Sequence, residues 1–327
     1  MHDRRIIVCD KPFESIKGGS FDWLILAVGS ESRCCHVARL LFEVNNCTIG
    51  NILVLCYPDV KKSVVKKFQG QLARLCCNKS NIKVMEVESD SHEGIYDILD
   101  VRFNSNENKD CSILVDYSCM SRVWYAALLY WFYLQRKACD HLSFMFLYAK
   151  GKYTKSFAGR DVVIGEICPV PGCAGISSRQ ANTVAIFCLG FFGYMSLCVY
   201  DELEPNDIYT ISTIEKPLRG FSIERQPGNK ELIERAAKPL RISVCSVEGA
   251  FRQMMEIAKY RQLKGENVTI VPMGPKPHIL ASILVALANH DVCVMRVRHD
   301  QYTSDVTPAG EIIATEVKFV DINYEDK

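Results

Sequence analysis

The feature that most constrains this chain is an alternation that runs twice. Short apolar runs, the mark of buried strands, alternate with stretches at helical spacing, and the series restarts near the middle of the chain. In the first pass Asp22 to Val28 reads as a strand and Gly29-Ser30-Glu31-Ser32-Arg33 as a turn. Cys34 to Val44 reads as a helix with Val37, Leu40, Leu41 and Val44 on one face. Strands follow at Ile52 to Cys56, Ile82 to Val87, Ser112 to Val115 and Leu142 to Tyr148. Between them lie helices at Val60 to Cys77, Glu93 to Phe103 and Val123 to Lys137; the first of these turns Lys61, Lys62, Lys66 and Lys67 outwards. The second pass has strands at Val184 to Leu189, Asp207 to Ile214, Ile242 to Val247, Val268 to Val271 and Val292 to Val297. Its helices are Tyr194 to Leu203, Lys230 to Lys238, Gly249 to Leu263 and His278 to Ala288. Even the Tyr153-Thr154 and Tyr302-Thr303 pairs that follow the last strands agree.

Strands that alternate with helices imply parallel sheets covered on both faces. The expected fold is therefore α/β, with two pseudo-duplicated Rossmann-like halves and parallel sheets. The first half spans 1–150, a connector containing Pro169, Pro171 and several glycines spans 151–182, and the second half spans 183–327. The alternative is one continuous doubly wound sheet. A chain of 327 residues can bury a core without covalent staples.

Lys plus Arg number 39 and Asp plus Glu 38, so no global basic field points to nucleic acid or membrane. No secretory leader is read in Met1 to Cys9, and the 16 cysteines fall mostly inside apolar runs. Both features suggest reduced, buried thiols in a cytoplasmic protein. Cys168 and Cys173 bracket Pro-Val-Pro-Gly, but no second pair completes a zinc set, so no metal and no cofactor is expected. Cys34-Cys35-His36 reads as packing. Val184 to Tyr200 is apolar but shorter than a membrane span and is interrupted by Gly190 and Gly193; a strand, a turn and a helix start are expected there.

Open parallel sheets bind ligands beyond the carboxyl ends of their strands, and four turns lie there. Gly29, Ser30, Glu31 and Arg33 offer backbone N–H groups at a helix start, although Glu31 and Arg33 could instead form an ion pair. Gly190 to Gly193 offers backbone only, and close packing is its more natural role. In Asp116-Tyr117-Ser118-Cys119-Met120-Ser121-Arg122, Asp116 could accept from a ribose hydroxyl, Ser118 and Ser121 could cap the next helix, and Arg122 could pair a phosphate. In Pro272-Met273-Gly274-Pro275-Lys276-Pro277-His278, Gly274 sits in a rigid loop that would hold Lys276 as a point charge, with His278 beside it. GxSxG, HExxH and GxxxxGK[ST] are absent, so no catalytic residue is assigned.

Asp116-x-Ser118-x-x-x-Arg122 at a strand end resembles the signature of CRISPR-associated Rossmann-fold (CARF) sensor domains. The second half lacks the Asp and Ser of that pattern, and no fused effector is read after Tyr302. The chain as a whole is similar to uncharacterised bacterial proteins found with defence gene sets. The resemblance implies a nucleotide-sensing or regulatory protein, a subunit of an anti-phage system, with a small anionic ligand, a nucleotide, and a protein partner subunit as its expected partners. Two alternatives stand beside it: an enzyme acting on a nucleotide or phosphorylated metabolite, and a scaffold that binds nothing. Arg122 and Lys276 occupy matching places in the two halves, where they would serve one anion.

Overall fold

The computed structural model describes residues 4–29, 31–103, 111–134, 142–153, 164–216, 221–299 and 306–321. The chain divides into two units, 1–152 with 303–327 and 153–302. In the first lie β1 (Arg4–Lys11), β2 (Ser20–Val28), α1 (His36–Arg39), β3 (Thr48–Cys56), α2 (Lys62–Leu75), β4 (Asn81–Glu86), α3 (Glu93–Phe103), β5 (Cys111–Asp116), α4 (Arg122–Leu134) and β6 (Leu142–Lys152). The second holds β7 (Ile164–Pro169), β8 (Thr183–Cys188), α5 (Gly193–Leu203), β9 (Asp207–Thr213), α6 (Pro227–Arg235), β10 (Lys238–Ile242), α7 (Val247–Gln262), β11 (Asn267–Pro272), α8 (Lys276–Ala288) and β12 (Val292–His299). The last strand, β13 (Thr307–Asp321), belongs to the first unit.

The first sheet runs β1-β13-β6-β5-β2-β3-β4, and the second β10-β9-β8-β11-β12-β7. All neighbours from β6 to β4 and from β10 to β12 are parallel, while β1, β13 and β7 join antiparallel. Counting only the parallel strands of each unit in chain order, both sheets read 3-2-1-4-5, the Rossmann order. The fold is thus α/β with two sheet halves of matching order. In each, the order reverses between the first and fourth parallel strands: β2 and β5 in one unit, β8 and β11 in the other.

Alternation on the central strands explains the layers. Leu24, Leu26 and Val28 of β2 pack with Val37, Leu41, Phe68 and Leu72 on one face. On the other, α4 is buried along nearly its whole length, and Phe132 meets Phe144 of β6 with ring centroids 4.8 Å apart. α8 holds the same place in the second unit and buries Pro277 to Leu287. Helices apolar all round belong inside a protein, and no helix among the described residues is long and apolar enough to cross a membrane. Val184 to Tyr200 divides into β8, a glycine turn and the start of α5, as its glycines suggested.

Four segments depart from the sequence reading. The strand expected at Ile242 to Val247 comes earlier, as β10, and Val247 already opens α7. The helix expected at Cys34 to Val44 is a 3-10 turn (Ser32–Cys35), one α turn and a π turn (Leu40–Val44). The widened turn ends at buried Asn45, whose amide donates to Phe13 O at 3.1 Å. β7 arises inside the proposed connector, where Val170-Pro171-Gly172-Cys173 closes a turn (Cys173 N to Val170 O, 2.8 Å) with Gly172 at φ 81. Val170 N donates to Val294 O and Cys173 O accepts from Val294 N, both at 2.8 Å, so Pro and Gly dock this segment onto β12. β13 crosses back to pair with β6 and β1, which its alternating Ile313, Thr315, Val317 and Phe319 permit.

A short local repeat accompanies the matching strand order of the halves. Ser91-His92-Glu93-Gly94 starts α3 and Ser246-Val247-Glu248-Gly249 starts α7. In each, the serine Oγ accepts from the glycine N–H, at 3.0 and 2.9 Å. The serine caps the helix, the acid sits in the positive first turn, and glycine leaves room: an added Cβ would stand 3.1 and 2.7 Å from the serine Oγ.

Candidate functional site

The residues singled out in the first unit gather where β2 and β5 end. Asp116 closes β5 with its side chain buried; its Oδ1 accepts from Ser118 N at 3.0 Å and Ser118 Oγ at 2.5 Å. Ser118, fully buried, also accepts from Ala149 N at 2.7 Å. The pair thereby ties the end of β5 to β6, which runs on past β5. Ser121 caps α4, accepting from Trp124 N at 3.3 Å and donating to Ser89 O at 2.5 Å. Arg122 is the first residue of α4 and half-buried.

Glu31 and Arg33 form the ion pair that was the alternative, with Arg33 Nε 2.5 Å from Glu31 Oε2. The pair is not an exposed one: Arg33 is 3% exposed and also donates to Tyr148 OH at 3.2 Å and Ala149 O at 3.0 Å. Its guanidinium lies 5.3 Å from the Tyr148 ring centroid. Gly29 follows β2 with the Tyr57 ring 3.5 Å from where a Cβ would be; Ser30 lies outside the described residues.

Sequence reasoning passed over the aromatic lining. Tyr57 stacks on Trp124 at 4.2 Å and donates to Cys119 O at 2.8 Å, covering the loop after β5. Tyr117, Tyr125 and Tyr148 form a buried cluster, with Tyr117 5.5 Å from Tyr125 and 5.4 Å from Tyr148. The Tyr125 hydroxyl has no hydrogen-bond partner among the described residues. Burial pushes its pKa far above the ordinary tyrosine value, and the nearby charge of Arg122 opposes that rise. A buried hydroxyl left in this state is the kind of group a ligand or an ordered water satisfies. The thiols here are quiet. Burial raises Cys34 to about 11, and His36 is held below its ordinary value by burial and by Arg39.

In the second unit the corresponding turns close on each other. A Cβ on Gly190 would stand 1.9 Å from Met273 O, and one on Gly274 would stand 3.0 Å from Leu189 O. Asn229 Nδ2 donates to Gly190 O and Ile223 O, both at 2.8 Å. Gly193 and Gly228 bring α5 and α6 together, since a Cβ on Gly228 would stand 2.3 Å from Gly193 O. The glycine turn serves packing. Lys276 opens α8 and is half-buried.

His278 lies wholly in the core, with Nε2 3.3 Å from Ser243 O and Nδ1 without a partner among the described residues. Nε2 faces a carbonyl and so carries the proton. Burial lowers its pKa to about 4, against the opposing pull of the Ser243 carbonyl and Glu215. The unfolded chain takes up this proton below about 6.5, whereas the folded chain refuses it until about 4. Stability should therefore fall as pH drops through that window, by on the order of 3 kcal/mol at its lower end. His278→Gln should flatten the slope in urea titrations followed by far-UV circular dichroism. Equal slopes for both proteins would show that the imidazole is not held neutral.

The described cysteines are free thiols. Burial raises Cys173 and Cys188 to about 12. Cys168 Sγ accepts from Arg296 Nε at 3.2 Å, while Cys173 closes the Pro-Gly turn.

No protein-family model and no curated protein matches the sequence. Among solved structures the chain is similar to that of a Type III CRISPR defence DNA nuclease activated by cyclic oligoadenylate, at 9% sequence identity with a TM-score of 0.49. The likeness covers 86% of this chain and 68% of that one.

Proposed function

We propose that the first unit binds the phosphate of a nucleotide where β2 and β5 diverge, and that it reports the ligand without transforming it. The chain would act as a nucleotide-sensing or regulatory protein, of the kind that serves as one subunit of a bacterial anti-phage system. One observation carries this reading. Arg122 opens α4 at the point where the strand order reverses, and the unpartnered Tyr125 hydroxyl lies one turn along the same helix. Asp116, Ser118 and Arg33 hold the frame of the site, which leaves contact with the ligand to Arg122 and the loop backbone. Cys34, whose thiol burial holds protonated, favours binding over nucleophilic chemistry. The second unit, closed at the same place, serves as scaffold.

Calorimetry with a panel of linear and cyclic nucleotides tests the reading. Arg122→Ala should keep the far-UV spectrum and lose on the order of 1.5–3 kcal/mol of binding, roughly ten- to a hundredfold in affinity. Absence of binding, or unchanged affinity in the variant, removes the sensor reading. Turnover of the nucleotide in the calorimeter would put an enzyme in its place.

A further inference from the structure

The charge of this protein is balanced overall but not locally. Between residues 60 and 85 the chain carries Lys61, Lys62, Lys66, Lys67, Arg74, Lys79 and Lys83 and no carboxylate. The whole chain is only +1, so the rest of it is net negative. Lys62, Lys66, Lys67 and Arg74 lie on α2, Lys61 just before it, Lys79 on the segment that leads into β4 and Lys83 within β4; all seven are exposed. None makes an ion pair among the described residues. On α6, by contrast, Lys230 pairs with Glu234 and Arg235 with Glu231, each four residues apart.

The placement on α2 is ordered. Phe68 and Leu72 point into the core, which turns Lys62, Lys66, Gly70 and Arg74 outwards as one stripe at four-residue steps. Each step rises about 6 Å, so the stripe is about 18 Å long. Nothing lies within 4 Å of a Cβ added to Gly70, and its carbonyl accepts from Arg74 Nε at 3.1 Å, which lays the Arg74 side chain along the stripe. Arg74 and Gln71 also border a groove of about 340 Å³ between α2 and the α1 segment. Arg39, exposed and without an ion pair among the described residues, faces it, and Glu43 is the one acid in its lining.

We propose that this face of α2, with the Arg39–Arg74 groove beside it, binds the phosphate backbone of double-stranded nucleic acid without reading its sequence. Lysines supply point charges and the two arginines supply forks suited to phosphate. A membrane-surface helix would need its apolar side free to insert, and here Phe68 and Leu72 are buried in the core. A surface for single strands would interleave aromatic rings for stacking, and the one aromatic of α2 is Phe68, 3% exposed. What remains is contact with a regularly charged backbone.

Fluorescence anisotropy with a labelled 30-base-pair duplex of arbitrary sequence, read against salt, tests this on the full chain. Binding should weaken with salt at a log–log slope of about −3, as expected for three to four phosphate contacts. Lys62→Glu/Lys66→Glu/Arg74→Glu should lose at least ~100-fold at low salt, and the milder Lys62→Gln/Lys66→Gln/Lys67→Gln should weaken binding in the same direction. The matched reversal Lys230→Glu/Arg235→Glu on α6 should change little. No salt-dependent binding, equal loss from the α6 variant, or equal binding to anionic phospholipid vesicles would each overturn the proposal.

Discussion

Gly190→Ala should strongly destabilise the second unit. The new methyl would stand 1.9 Å from Met273 O and 2.9 Å from its carbonyl carbon. Both are backbone atoms, and the loops that carry them cannot part, because Cys188 and Pro272 are paired just below in β8 and β11. Asn229 also holds the Gly190 carbonyl at 2.8 Å. Overpacking typically costs 1–3 kcal/mol where side chains can yield; here only backbone can move, so a loss of about 3 kcal/mol or more is expected. That is a large fraction of a domain's usual 5–15 kcal/mol. Gly70→Ala, on open helix surface, should instead gain about 0.5–1 kcal/mol. Far-UV circular dichroism in urea reads both. The three tryptophans all lie in the first unit, so their fluorescence separates its transition from that of the second. An unchanged midpoint for Gly190→Ala would mean that the two loops do not touch.

Arg33→Ala is expected to cost about 3–5 kcal/mol in the first unit, the usual result of breaking a buried ion pair from one side. Glu31 would keep its charge with only 19% of its side chain exposed, and Tyr148 OH and Ala149 O would lose their donor. Arg33→Met, which keeps volume, should recover part of the packing but not the hydrogen bonds. Tryptophan fluorescence in urea reads this unit directly. Were Arg33 instead a ligand contact, the variant would fold as stably as the parent and lose only binding, and equal midpoints would establish that.

Much of the fold was legible because burial writes periodicity into sequence. Runs such as Leu24 to Val28 and Val184 to Leu189 have to be central strands, and α4 and α8 have to be buried helices, since water tolerates neither exposed. The Ser-x-Glu-Gly helix starts were equally local and stood in the sequence unread. So did the alternation of β13. Which sheet β13 would join was not legible, because pairing partners far apart in the chain leave no mark at either position.

For the site, strand-end spacing brought Gly29, Asp116, Ser118 and Arg122 to one switch point and Gly190 and Gly274 to the other. Spacing says where a residue stands along a strand. Whether its side chain turns inwards or out depends on groups distant in the chain. Ser118 is committed to Ala149, 31 residues on, and Arg33 to the same residue 116 residues on. The sequence by itself determined the layers, the doubled order of strands and helices, and the loops that meet at each sheet's carboxyl edge, because these follow from local periodicity and solvent. The tertiary structure alone decided that one crossing is framed by Asp116, Ser118 and Arg33 while the other is sealed by Gly190 against Met273. Those outcomes rest on hydrogen bonds and contacts of a few ångströms between segments that never adjoin in the chain.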